Sequence, residues 1–114
     1  MVDELAIEID ARPAGTVVRL KGCAGIHEGP VLERALTRIC AGKPCLLILD
    51  MSQLTMIASL ALGQMVAVKK TMERTGGKIR LAAVSPPVMG TLRHARLDSI
   101  FPCFATVEEA LIAA

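Results

Sequence analysis

Cys45-Leu46-Leu47-Ile48-Leu49 is an unbroken apolar run that ends on the carboxylate of Asp50. A strand with no polar alternation has both faces covered, the situation of a central strand in a parallel sheet flanked by helices. The run therefore predicts an α/β chain built around it, and the neighbouring patterns agree. Leu5, Ile7 and Ile9 alternate with Ala6, Glu8 and Asp10 as in a half-exposed strand, and Pro13 and Gly15 turn it into a second strand over residues 16–21, making a hairpin. Pro30 opens a helix whose Leu32, Ala35, Leu36 and Ile39 recur at helical spacing to about Cys40, with Gly42 closing it. The helical period resumes at about Ser59, with Ala61, Met65, Val68 and Met72 on one stripe, and stops at Gly76-Gly77.

Ile79 and Leu81 mark a fourth strand, and Ser85-Pro86 reads as an N-cap and first-turn proline for a helix that turns Met89 and Leu92 inward. Thr106, three residues before Glu109, fits a capping box that opens a last helix with Ala110 and Leu111. The sum is a mixed sheet of about four strands with about four helices, one domain over residues 1–114. Right-handed crossovers make strands two, three and four parallel, so their carboxyl ends share one rim. The Gly22–Glu28 loop, the stretch from Asp50 to Ser59 and Val84–Pro86 meet there, where open parallel sheets bind ligands or partners.

Composition narrows the function. A net charge of +2 without a basic run, no Trp or Tyr and only two Phe argue against nucleic-acid binding. Cys23, Cys40, Cys45 and Cys103 have no zinc-ligand spacing and read as reduced thiols of a cytoplasmic protein; no metal and no cofactor are expected. Met1-Val2-Asp3-Glu4 is acidic where an export signal is basic. Residues 51–68 carry no charge, but Ser52, Gln53, Thr55, Ser59, Gly63 and Gln64 interrupt them, so no membrane insertion is expected. Ser59, His27 and Asp50 are the one set from which a serine hydrolase could be assembled. They lack a Gly-x-Ser-x-Gly elbow, no basic residue other than His27 is placed to activate Cys23, and no phosphate-binding loop is present, so an enzyme is not expected.

Several fragments in order carry a resemblance: Leu49-Asp50; Met56-Ile57-Ala58-Ser59-Leu60-Ala61-Leu62-Gly63; Gly76-Gly77 before Ile79-Arg80-Leu81; Val84-Ser85-Pro86; Leu97-Asp98-Ser99-Ile100-Phe101-Pro102; and Val107-Glu108-Glu109-Ala110-Leu111. The chain resembles the STAS domain family of sulfate transporters and anti-sigma factor antagonists, most of all the stand-alone bacterial antagonists. The resemblance implies a regulatory protein-protein interaction module. Its partner would be an anti-sigma factor or kinase-like ATPase, bound at the start of the second helix with Ser59 in the phosphoacceptor position. Ala58 stands where that family has Asp, Leu60 where it has a second hydroxyl residue, Ala61 where it has Gly, and Gly25 where an Asp is frequent. These departures leave room for the family's other use, a subunit docked constitutively on the ATPase of an ABC-type lipid transporter.

Ser59 itself has two readings, a phosphoacceptor at a helix N-terminus or only the cap of that helix. At 100° per residue, Leu62 and Val66 fall to the side of the core stripe, which would expose them as an apolar patch beside Ser59. The expected contact surface is Gly25, Ala58, Ser59, Leu60, Leu62, Gly63 and Val66.

Overall fold

The apolar run is the middle of a five-stranded sheet. In the computed structural model, which describes residues 5–113, the order is β1 (Ala6–Arg12), β2 (Gly15–Ala24), a 3₁₀ turn (Ile26–Glu28), α1 (Gly29–Ala41), β3 (Leu46–Ile57) and α2 (Ser59–Arg74), followed by β4 (Lys78–Ala82), α3 (Pro86–His94), β5 (Cys103–Phe104) and α4 (Val107–Ile112). The strands lie side by side in chain order, with β1 antiparallel to β2 and the other neighbours parallel. Residues 1–4, on which the expectation about an export signal rests, lie outside the described residues. Among the described residues no helix is long and apolar enough to cross a membrane.

Two features depart from the expected layout. A fifth strand is present, and its two residues are too few to show a period in sequence. β3 also continues past Asp50 for seven more residues, so most of the stretch read as a rim loop is strand. Its polar residues face outward while Leu54 and Ile57 stay buried, and register shifts against β2 break the simple alternation.

The strands' two faces bury different cores. Val18, Leu20, Leu47, Leu49, Met51, Leu54 and Leu81 meet Leu32 and Leu36 of α1, Met65 and Met72 of α2, and Val88 and Leu92 of α3. On the other face Val17, Leu46, Ile48 and Ala82 meet Ala110 of α4. Right-handed crossovers thus put three helices on one side and leave the short α4 alone on the other. Ile7 is half-buried against the larger core, whereas Ile9, further along the edge strand, remains 52% exposed.

Helix ends account for several sequence signals. Gly76 adopts φ +79 after α2, and a Cβ on Gly77 would stand 2.8 Å from the Pro44 carbonyl, so the pair serves first a left-handed turn and then a close approach. After α1 the left-handed residue is Lys43 at φ +50, while Gly42 keeps helical angles. Thr106 caps α4, its hydroxyl oxygen accepting from the Glu109 N–H at 3.1 Å. Ser85 occupies the N-cap of α3, but its hydroxyl donates across to the Leu54 carbonyl at 3.1 Å. At the far end of α4, the buried Arg80 guanidinium donates to the carbonyls of Ala110 (2.7 Å) and Ala113 (2.9 Å) and stacks 5.7 Å from the Phe104 ring centroid.

Candidate functional site

The length of β3 decides where α2 begins. Pairing with β4 ends at Asp50 and Ala82, and pairing of β1 with β2 ends at Lys21, while β2 and β3 stay paired as far as Ala24 and Ile57. The strands therefore project as a two-stranded ribbon beyond the sheet. At its tip the Ala58 N–H donates to the Ala24 carbonyl at 2.8 Å, the backbone at Ala58 is extended (φ −85, ψ 158), and α2 starts at Ser59.

Ala58 is the N-cap residue of α2, and its methyl group supplies no acceptor. The Leu62 N–H reaches back to the Ala58 carbonyl at 3.1 Å, which leaves the amides of Ser59, Leu60 and Ala61 without intrahelical acceptors. Ser59 is exposed at the first helical position, one residue past the cap, so capping is not its role. The unpaired amides and the positive end of the helix dipole together favour an anion at this end of α2.

The apolar surface beside Ser59 is made by other residues than those expected. Leu62 is only 4% exposed and belongs to the main core with Val88 and Leu92 of α3, and Val66 is half-buried against the same core. The reason is that α2 is the middle helix of three on its face, so its buried stripe is wider than a helix packed only on a sheet requires. Leu60 (49% exposed) and Met56 (45% exposed) form the outward-facing apolar pair instead. They flank the turn between β2 and α1. A Cβ on Gly25 would lie 3.8 Å from Met56 Cε and 3.3 Å from a Glu28 carboxylate oxygen, and one on Gly29 would lie 3.0 Å from Leu60 Cδ2. Gly25 is buried, Ala58 half-buried and Gly63 exposed with open space over it. Met56 carries no sequence signal beyond its place opposite Cys23, a register that appears only once β3 is known to extend this far.

The set Ser59, His27 and Asp50 is not assembled. Asp50 lies roughly 20 Å of extended chain before the tip of the ribbon, on the sheet face opposite α2. It is buried and engaged, accepting from Arg19 Nε at 3.2 Å and from the Ser52 N–H at 3.0 Å. Arg19 also donates to Glu8, which Lys21 contacts in turn. Hydrogen bonds from Lys21 and then Arg19 hold the Glu8 carboxyl below its ordinary value, and Asp50 and then Glu8 raise the already high value of Arg19. His27 is exposed on the 3₁₀ turn. The four cysteines are free thiols, and among the described residues no three His, Cys, Asp or Glu side chains gather as metal ligands.

A protein-family model, that of the STAS domain, matches residues 6–110. Solved structures of other proteins share the fold, among them these three. An anti-sigma factor antagonist from Mycobacterium paratuberculosis superposes with a TM-score of 0.87 at 23% identity, over 95% of this chain and 92% of that one. The Bacillus cell fate determinant SpoIIAA in its phosphorylated form gives 0.72 at 22% identity, over 93% and 96%. A sulfate transporter family protein from Wolinella succinogenes gives 0.71 at 18% identity, over 83% and 80%. Among curated protein sequences, none matches this one.

Proposed function

Because the chain belongs to the STAS domain family, we propose that it is a regulatory interaction module of the anti-sigma factor antagonist kind. It binds an anti-sigma factor or kinase-like ATPase through the tip of the β2–β3 ribbon and the start of α2. The observation that carries this reading is the exposed Ser59 hydroxyl at the first position of a helix whose leading amides are unpaired, with the exposed apolar Leu60 beside it and Met56 across the ribbon tip. A phosphate on Ser59 would find donors at that helix end, and it would set nearly two negative charges against a surface that an apolar partner has to desolvate. Modification and partner release are thereby linked. Ala58 and Gly63 complete the contact surface in this reading, and the buried Gly25 and Leu62 and the half-buried Val66 support it from below. No catalytic step is assigned, since Asp50 is held by Arg19 on the opposite face.

Affinity capture with the wild type, Ser59→Ala and Ser59→Asp tests the reading. The wild type and Ser59→Ala are expected to retain a small ATPase or anti-sigma factor, Ser59→Asp to lose most of it, and the retained kinase with ATP to add a single phosphate at Ser59. Equal capture by all three variants, with no mass increase, would refute the switch. A second reading has support in Ala58, which brings no carboxylate to the serine, and in the apolar Leu60: constitutive docking on an ABC-type ATPase. In that case the captured protein is that ATPase and no phosphate appears.

A further inference from the structure

α1 and α2 run side by side, and the seam between their outer faces is a groove of about 690 Å³ that begins at Ser59 and continues past Cys40 to Thr71. Its α2 wall is Ser59, Gly63, Ala67 and Thr71, four small side chains one helical turn apart, all exposed, so a third helix could approach the backbone closely. Val68 and Cys40 form apolar floor, and Gln64 Oε1, also in the groove, is buried without a hydrogen-bond partner. A buried acceptor in that condition is costly until a donor arrives.

Charge selects the occupant. Arg34 and Arg38 stand on the outer wall of α1, and Lys70 and Arg74 follow Ala67 along the solvent ridge of α2. All four are exposed, and none takes part in an ion pair among the described residues, whose cationic partners are Arg12, Arg19, Lys21 and Lys69. Glu33 is the one carboxylate lining the groove. A second copy of the chain would set cations against cations. A lipid surface would need a row of protruding apolar side chains, whereas in this groove only Leu60, at its Ser59 end, protrudes and the rest of the α2 wall is small residues. We propose that the α1–α2 groove binds an acidic amphipathic helix of a partner protein, with a row of apolar side chains seated along Gly63 and Ala67 and carboxylates meeting Arg34, Arg38, Lys70 and Arg74. The groove shares Ser59, Leu60 and Gly63 with the switch surface at one end and runs on along α2 beyond it, so the proposal does not depend on phosphorylation of Ser59.

The test uses an end-capped synthetic peptide of about 18 residues, roughly five helical turns, with Leu and Ala at i, i+3, i+4 and i+7 and Glu at the flanking positions. Its partners in the experiment are the same peptide with Lys for Glu, and phosphatidylcholine vesicles doped with phosphatidylserine. The acidic peptide is expected to bind saturably, with Kd raised at least about tenfold by Ala67→Glu and by the Lys70→Glu, Arg74→Glu pair. Met56→Asp, at the ribbon tip, is expected to leave it unchanged, which separates the groove from the ribbon tip. Bound peptide should also slow iodoacetamide labelling of Cys40 in the groove without changing that of the exposed Cys45, a readout that needs no variant. Circular dichroism confirms that each variant is folded. Equal binding of the basic peptide, binding of vesicles without the peptide, no saturation, or unchanged Cys40 labelling would each overturn the proposal.

Discussion

Leu60 leans over Gly29 so closely that a Cβ there would meet its Cδ2 at 3.0 Å, which joins the first turn of α1 to the first turn of α2. The contact leaves Leu60 half in solvent while its neighbour two residues on, Leu62, is sealed in the core. The two leucines are therefore expected to answer substitution in opposite ways. Leu62→Ala should cost about 3 kcal/mol of stability in urea denaturation. Leu60→Asp should change stability by less than about 1 kcal/mol and abolish partner capture. Retained binding by a folded Leu60→Asp protein would remove Leu60 from the interface.

The uncapped start of α2 gives a second prediction. Ser59→Ala should alter stability by no more than a few tenths of a kcal/mol, since Ser59 is not the N-cap residue. Ala58→Asp should raise stability by about 1 kcal/mol by supplying the missing acceptor next to the helix dipole. Chemical denaturation of both variants against the wild type decides the matter, and a destabilised Ala58→Asp would contradict the geometry of the cap.

Glycines provide a paired comparison. Gly77→Ala forces a Cβ to within 2.8 Å of the Pro44 carbonyl and 2.9 Å of Met72 Cε, and backbone gives way poorly. A loss of about 2 kcal/mol is expected. Gly63 has nothing within 4 Å of its added Cβ and lies inside a helix, so Gly63→Ala should gain about 0.5–1 kcal/mol. Thermal or urea midpoints of the two variants should move in opposite directions.

Acid should weaken the β1–β2 edge in a particular window. The Glu8 carboxyl lies below its ordinary value of 4.5 in the folded chain, chiefly through the hydrogen bond from Lys21 and then that from Arg19. The folded state therefore takes up this proton less readily than the unfolded one. Its stabilising effect is complete above the unfolded value and is lost as pH falls through the folded one. Glu8→Gln should lower the neutral-pH urea midpoint and flatten its dependence on pH below about 4.5, so that the variant and the wild type converge in acid.

How much of this was legible in sequence depends on what each signal had to report. The apolar run at 45–49, the change of period at Ser59, the Gly76-Gly77 stop and the Thr106 cap are local signals, and the structure carries each one where sequence places it. The end of β3 is not local. Ser52, Gln53 and Thr55 read as loop because β3 carries an extra residue against β2 between Asp50 and Gln53 and again between Leu54 and Met56, which breaks the two-residue alternation that marks a strand. Leu62 is a similar case. A helical wheel separates sides of α2 without saying how many neighbours the helix will have, and only the position of α2 between α1 and α3 makes that side interior.

α4 has six residues, too short to persist as an isolated helix, and Arg80 Nη1 ties the Ala110 carbonyl within it and the Ala113 carbonyl just past its end to β4. Its backbone amides accordingly have no independent protection against exchange with solvent deuterium. They open when the guanidinium lets go, and β5, which pairs with β4 through two residues, opens in the same event. One buried cation thus sets the size of a cooperative unit. In Arg80→Met the amides of α4 and β5 should exchange faster together, while those of α1 and α2 keep the rate of global unfolding.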